Sequence, residues 1–574
     1  MARVVPQVSK GVLLVHTRFM RTVGATALAA LLLASACGGS TAPAAESMDF
    51  AARSWPEAAA APCANGAGGL SQVRAVDAST VQFTLCAPDV AFTQKLALTY
   101  VGMSDSGYLK AHAADGSLVL KPNGTGPYAL KAWEKGAQIV LNRFDGYWGD
   151  KAKAKTLTFT WQPDAAARLV ALRAGTADGI DNVSPTDAAG IAADSNFALV
   201  PRPALNTMYI GMRNLAKPFN DVRVRKAIAL ALDRQRTVDY FYPAGSEVAS
   251  HYVPCSLEFA CEGDGWYAQD VAAAKALLAE AGYPNGFTTT IALRDVVRSY
   301  LPTPVDVATD IQSQLAAIGV TAKIDVQEST TYFDNVLSGK LDGLFLFAWI
   351  PDYPDTLNFI HGLFGVAAGP ELGDTYTTIA TPAAAATRES DPAKRKALIA
   401  EANAAIKAEV PIIPIAHGGS ALAFSANVSG AHSSPLLVEQ FSTMASSAHD
   451  SLSFVQGAEP GGLACADEID GESLRVCSQI NEGLYGFFNG SLVAAPRLAT
   501  GCTVSADGLA WTCTLRSGVR FHNGATFDAS DVVDSFAAIW DCAHPYHVGR
   551  TSTFLAWGAI FGANLHPESC VVPN

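Results

Sequence analysis

Three sets of residues in this sequence carry side chains able to do chemistry. The first is Trp349-Ile350-Pro351-Asp352-Tyr353-Pro354-Asp355, with Asn358 just beyond it. It ends the unbroken apolar run Leu344-Phe345-Leu346-Phe347-Ala348-Trp349, which reads as a buried strand. Open α/β sheets present their ligand loops beyond the carboxyl ends of such strands, so a small solute could meet aromatic and acidic side chains here. A carboxylate shut away from water binds an ammonium by a charge-assisted hydrogen bond that is stronger than a neutral one. The competing role for Asp352 is to cap a turn ahead of Pro354. The second set is His417-Gly418-Gly419-Ser420, after the strand-like run Val410 to Ile415, which puts a base and a hydroxyl close together in sequence. The third set is the cysteines.

Eleven cysteines occur in 574 residues. Arg18 and Arg21 precede an apolar run from Val23 to Ala36 that is too short to span a bilayer stably, so the start reads as an export signal. Its end, Ala34-Ser35-Ala36-Cys37, resembles a bacterial lipobox, with Ala34 where leucine is usual and Leu33 one place upstream. Lipidation of Cys37 is expected, with plain signal cleavage as the alternative, and Met20 competes with Met1 as the start. Setting Cys37 aside leaves an even number in an exported chain, for which oxidised pairs are the default. Short separations favour Cys255 with Cys261, Cys465 with Cys477 and Cys502 with Cys513. Cys63 with Cys86 and Cys542 with Cys570 complete the set. Zinc competes for these thiols, but no Cys-x-x-Cys occurs. No metal and no cofactor is expected.

The elements that must position these residues follow from composition and pattern. At 49% hydrophobic and 16% charged, the chain is ordinary globular material, long enough for more than one core. A formal charge of -13 without clustered Lys and Arg argues against nucleic-acid binding. After Cys37 a Gly/Ser/Ala/Pro-rich tether runs to about Ala61. Val73 to Leu85 alternates as two strands around Asp77-Ala78-Ser79, and Gly124-Thr125-Gly126 reads as a structural turn because no Gly-Lys-Ser/Thr follows. Strand, helix, strand order recurs along the chain, which suggests two α/β lobes. Near the end, Leu509, Trp511, Cys513 and Leu515 alternate, Ser517-Gly518 can turn, and Val519 and Phe521 resume the alternation, so a hairpin is expected there. Asp528 then caps a helix with Val532, Val533, Phe536 and Ile539 inward.

The stretch Asp507-Gly508-Leu509-Ala510-Trp511-Thr512-Cys513-Thr514-Leu515-Arg516-Ser517-Gly518-Val519-Arg520-Phe521-His522 resembles the early-chain signature of the family 5 extracytoplasmic solute-binding proteins, the receptors of peptide- and nickel-type ABC importers. Ala75 to Leu85, Asn123 to Tyr128, Pro218 to Arg234 and Gln479 to Tyr485 resemble further motifs of that family. The order is rotated, so the chain is read as a circular permutant, reasonable where chain ends lie close on a surface. The resemblance implies an α/β, two-lobed periplasmic-binding-protein-like fold of class II, cluster C type, with a hinge and a central cleft. The expected layout is a signal peptide over 1–36, a tether over 37–61, lobe I from 62–205 and 426–574, and lobe II from 206–425. Trp349 and Asp352 then hold the positions where peptide-binding members place an aromatic wall and a carboxylate for the ligand's amino terminus. Tyr353, Asp355 and Asn358 stand beside them, and Glu472, Ser473 and Arg475 are expected at a helix entrance facing the cleft from lobe I. Oligopeptide receptors carry an arginine three residues before the tryptophan, and here that position is Leu346.

Taken together, these features describe a lipid-anchored receptor in the periplasm or on the outer face of the cytoplasmic membrane. It would bind peptides or a related small polar solute as a monomer and deliver it to the permease subunits of an ABC importer, without being an enzyme. A secreted hydrolase using His417 and Ser420 is the class alternative, since the tetrad resembles a lipase oxyanion loop, but no Gly-x-Ser-x-Gly elbow occurs. A surface signalling lipoprotein with a receptor fold is a third.

Overall fold

The computed structural model describes residues 53–570 apart from 58–59, 64–68, 244, 295, 366–367 and 553. The expected signal peptide, Cys37, both candidate start methionines and most of the tether lie outside the described residues.

Alternating burial makes the strands of the first sheet. In Thr80–Leu85 the side chains of Val81, Phe83 and Leu85 face inward, and Ser79 donates its backbone N–H to Asp77 Oδ1 at 2.8 Å to turn the chain from Leu70–Asp77. This five-stranded sheet runs Ser54–Trp55, Leu70–Asp77, Thr80–Leu85, Ala510–Leu515, Ala499–Val504. The late strand Ala510–Leu515 therefore has neighbours on both edges. For that reason the hairpin expected across Ser517-Gly518 does not form: Val519 and Phe521 find no free edge, and instead bury their side chains in the core outside any strand. The hairpin partner lies upstream, at Ala499–Val504. Helix Ala529–Trp540 covers the sheet. Asp528 caps it by accepting from Ser530 N–H, while Asp531 accepts from Asp528 N–H, a reciprocal capping box.

A seven-stranded sheet runs Tyr128–Glu134, Gln138–Arg143, Thr156–Trp161, Ser451–Gln456, Gly179–Ile180, Ser420–Ser425, Phe197–Arg202. Ser451–Gln456 lies parallel to both its neighbours. Segments from both ends of the chain thus share two sheets and one apolar core, which draws on Val73, Phe83 and Phe92 as well as Phe521, Phe536 and Trp557. The turn Gly124-Thr125-Gly126 packs on the end of helix Gly471–Ile480. A Cβ on Gly124 would sit 2.1 Å from the Ile480 carbonyl oxygen, so that close approach requires glycine.

The third, six-stranded sheet draws only on residues between 207 and 417: Glu247–Val248, Ile412–His417, Thr207–Met212, Leu344–Trp349, Thr288–Arg294, Thr321–Gln327. The molecule is thus an α/β protein of two lobes. The chain passes between them at 203–206 and again at 418–419. The strand Ser420–Ser425, expected to end the second lobe, pairs instead with Gly179–Ile180 and Phe197–Arg202, so the return lies at the glycines and not at 425. Asn206 stitches the two passages together: its Nδ2 donates to the Gly418 carbonyl at 2.7 Å and its Oδ1 accepts from Gly418 N–H at 2.9 Å.

Beside the passages lies a buried charge quartet. Arg202 donates to Asp181 Oδ1 (2.8 Å) and Glu439 Oε1 (2.7 Å); Arg475 donates to Asp181 Oδ2 (3.0 Å) and Glu439 Oε2 (2.8 Å). All four side chains are at most 3% exposed. Burial alone would raise the Asp181 carboxyl, but Arg202 and Arg475 hold it down at about 2. Burial opposes ionisation of Glu439 too, and the same arginines keep it below the ordinary glutamate value. Arg202 also donates to Ser420 Oγ at 3.1 Å, so the quartet reaches both strands that adjoin the passages.

The five expected disulfides form: Cys63–Cys86, Cys255–Cys261, Cys465–Cys477, Cys502–Cys513 and Cys542–Cys570.

Candidate functional site

The strand Leu344–Trp349 pairs along its length with Thr207–Met212 and at Leu344 and Phe345 with Thr288–Arg294, which fixes where its carboxyl end emerges. Beyond it the chain turns through 350–354, and Asp355 caps helix Thr356–Phe364 by accepting from Leu357 N–H at 2.8 Å. The helix brings Asn358 back over the loop. Asn358 Oδ1 accepts from Asp352 N–H (3.0 Å) and Trp349 Nε1 (3.3 Å), and its Nδ2 donates to Asp352 Oδ2 (3.1 Å). One amide therefore holds the aromatic ring and the carboxylate in fixed relation. The indole lies against Gly362, where a Cβ would come within 2.2 Å of the ring.

The two aspartates of the loop differ. Asp355 Oδ2 receives Arg395 at 2.7 Å, so its charge is matched inside the protein. Asp352 is half-buried and takes part in no ion pair among the described residues. Burial raises its carboxyl above the ordinary aspartate value, against the opposing pull of Asn358 and Lys95. A desolvated carboxylate held by one neutral amide is a group that gains most from an incoming cation.

Lobe I meets this loop through residues 89–100. Lys95 Nζ pairs with Asp89 Oδ2 at 2.8 Å and stands 4.7 Å above the ring of Tyr353, which is buried among lobe I apolar groups. Burial works against the Lys95 charge, yet Asp89, with Tyr353 and Asp355 behind it, raises the ammonium above its ordinary value. Val90 N–H donates to the Thr387 carbonyl of lobe II at 3.2 Å. Burial pushes the Tyr100 hydroxyl up to about 12, with the charges of Asp352 and Asp470 adding to it. The lobes thus touch across the Asp352 loop. Two hollows, one lined by Tyr100, Tyr108 and Phe554 and the other by Trp133 and Lys135, lie within lobe I and include none of residues 349–358.

The structure does not bring every expected contact to this place. Glu472 is half-buried at the helix entrance, where burial raises its carboxyl. Ser473 is fully buried; its N–H donates to Asp470 Oδ1 at 2.7 Å and its Oγ accepts from Gly461 N–H at 3.0 Å. Arg475 is 1% exposed and belongs to the quartet. Both side chains point inward, where Gly461 N–H meets the Ser473 hydroxyl and Asp181 and Glu439 take the Arg475 guanidinium. Leu346 is also a core residue, with its carbonyl accepting from the Tyr332 hydroxyl at 2.5 Å, so its side chain removes nothing from a cleft wall. Lys95, Tyr100 and the anchoring role of Asn358 carried no motif; only the meeting of segments some 250 positions apart brings them together.

The tetrad His417-Gly418-Gly419-Ser420 is hinge material. His417 Nδ1 faces the Asn206 carbonyl at 2.9 Å, and burial drops the imidazole to about 4, while Ser420 Oγ accepts from Arg202. A Cβ on Gly418 would lie 2.2 Å from the Ser299 carbonyl oxygen, so the glycine is required by packing.

The sequence matches the profile of the bacterial extracellular solute-binding proteins, family 5, over residues 46–371 and 494–570. The chain belongs to this family. It is 32% identical over 359 residues to the dipeptide-binding protein of Escherichia coli (strain K12), covering 61% of this chain and 66% of that protein, just under two-thirds of its length. Among solved structures, HbpA2 from Haemophilus parasuis superposes with a TM-score of 0.61 at 30% identity, over 66% of this chain and 76% of that one. The DppA protein from Helicobacter pylori, solved with the peptide STSA, superposes with a TM-score of 0.54 at 25% identity, over 66% and 74% of the two chains. The family consists of binding proteins, not enzymes, and is extracytoplasmic. Among the described residues no helix is long and apolar enough to cross a membrane.

Proposed function

We propose that this protein is the receptor of an ABC importer that binds short peptides, or another small solute bearing a primary ammonium, at the Asp352 loop. The observation that carries the reading is the uncompensated Asp352 carboxylate, held by Asn358 beside Trp349 in a loop that lobe I meets at Tyr353. An ammonium there would supply at close range the positive charge that Lys95 supplies only at a distance. Contacts made to both lobes at once would favour the shut form over an open one, which is how a ligand shifts such an equilibrium. Trp349, Asp352, Tyr353 and Asn358 form the proposed contact set, with Glu472 contributing from lobe I. Asp355, Ser473 and Arg475 act by holding the frame. The similarity to a dipeptide-binding protein and to a structure solved with a peptide supports the ligand class.

Lipidation at Cys37, partnership with permease subunits and a monomeric state belong to the same proposal, as does a segment order rotated relative to the relatives. The rotation is supported by the early-chain motif standing at 507–522 while its strand Ala510–Leu515 joins a sheet begun near residue 70. Calorimetric titration with dipeptides tests the ligand reading. Free peptides are expected to bind and their N-acetylated counterparts to bind at least tenfold more weakly. Equal affinity for both, or binding of neither, overturns it.

A further inference from the structure

A short loop beside the Asp352 site gathers three metal-binding side chains. His251 follows the edge strand Glu247–Val248, and one of its ring nitrogens lies with Cys255 Sγ and Cys261 Sγ inside a 4.8 Å circle. The imidazole is 9% exposed, and its Nε2 finds no hydrogen-bond partner among the described residues. Ser250 Oγ lies 3.2 Å from Nδ1, 3.4 Å from Cys255 Sγ and 4.0 Å from Cys261 Sγ, so a ring nitrogen and both sulfurs share one polar neighbour. A second group, Cys542, His547 and Cys570, has similar spacing, but there both ring nitrogens face carbonyl oxygens, of Ala538 and Ser552. Only the first group has an imidazole nitrogen to spare.

We propose that His251, Cys255 and Cys261 form a redox-gated site for a thiophilic d10 ion, Zn(II) or Cu(I). In the bridged state each sulfur is bonded to its partner and carries no thiolate charge, so the loop holds no ion. A dithiol reductant supplies two electrons and two protons to the Cys255–Cys261 bond and closes to its own disulfide. The two thiols then release their protons to solvent as the ion binds two thiolates and the neutral imidazole, leaving a further position open to water. Two sulfurs and one nitrogen suit these ions in particular.

This bridge is open to reduction. Cys255 is exposed, as is Cys63 of the Cys63–Cys86 bridge, whereas Cys465, Cys477 and Cys513 are buried. The Cys255 and Cys261 partners are separated by only 6 positions, the shortest of the set, so their bridge contributes least through loop closure. The gate is coupled to the ligand loop. Glu258, inside the bridged segment, reaches Arg395 at 3.5 Å; Arg395 holds Asp355 at 2.7 Å; and the Glu258 carbonyl accepts from Thr356 Oγ1 at 2.6 Å, at the start of the helix that carries Asn358.

The test uses the full chain before and after mild treatment with a dithiol, titrated with zinc against a chromophoric chelator, with Co(II) as a spectroscopic probe. A parallel anaerobic Cu(I) titration decides between the two ions. The reduced protein is expected to take up one ion with a thiolate-to-cobalt charge-transfer band, and the oxidised protein none. Cys255→Ser with Cys261→Ser should abolish uptake, and His251→Ala should weaken it at least tenfold, with near-native circular dichroism confirming that the variants fold. Failure of the reduced protein to bind either ion, equal uptake by the double serine variant, or uptake without reduction overturns the proposal.

Discussion

Two acidic regions of this molecule use the same chemistry to opposite ends. In the quartet beside the passages between lobes, Asp181 and Glu439 are matched charge for charge by Arg202 and Arg475 and sealed from water. In the loop proposed to bind ligand, Asp352 is also withdrawn from water but has an amide where the quartet has guanidinium groups. The difference separates a charge already matched inside the fold from one that the proposed function leaves to a solute. Asp355, three residues further on, falls on the quartet's side of that division because Arg395 already occupies it.

The comparison can be broken by removing a charge from each side. Arg475→Met should cost about 3–5 kcal/mol of stability in urea unfolding, because it leaves two buried carboxylates on the single guanidinium of Arg202. A loss below about 1 kcal/mol would mean the quartet is not the sealed unit described. Asp352→Asn should leave stability unchanged or slightly higher and weaken binding of an ammonium-bearing ligand by about 1.5–3 kcal/mol, the scale of a hydrogen bond to a charged group. Calorimetry on the variant would expose an error if affinity stayed the same.

Acid sharpens the contrast. His417 lies at about 4 when folded against an ordinary 6.5, and Asp181 at about 2 against 3.8. Both are lower in the folded protein, so the unfolded chain binds more protons in these windows and stability falls as pH falls. The His417 contribution is expected to fade from about pH 6.5 to 4 and the Asp181 contribution from about pH 4 to 2, followed by urea unfolding at fixed pH values. His417→Gln should flatten the upper window and leave the lower one. The smallest effect is expected at the lobe contact. Lys95→Met removes a cation 4.7 Å above the Tyr353 ring, worth about 0.5–1 kcal/mol in ligand affinity if closure uses it. An unchanged dissociation constant would show that closure does not use it.

Much of the frame was legible from pattern alone. The turn at Asp77–Ser79, the Asp528 cap and the apolar strand ahead of Trp349 are set by neighbours within a few residues, and each is observed as read. The hairpin at Ser517-Gly518 was not, because the edge that Val519 and Phe521 would have used is decided by Thr80–Leu85, more than 400 positions earlier. The same limit hid the quartet. Asp181, Arg202, Glu439 and Arg475 come from four separate places, so Arg475 read as a cleft-facing group until its partners were in view. Within the loop, Trp349 and Asp352 stood out by type and position, whereas Lys95 and Tyr100 become neighbours of the loop only when the lobes meet.

The placing of Ser451–Gln456 between Thr156–Trp161 and Gly179–Ile180 has a bearing on how the polypeptide matures. Ribosomal synthesis delivers residue 417 before residue 451, so the six-stranded sheet has all its strands while the seven-stranded one still lacks an interior member. The middle of the chain can therefore consolidate first, and the early strands must wait, partly unpaired, for the last quarter of the chain to arrive.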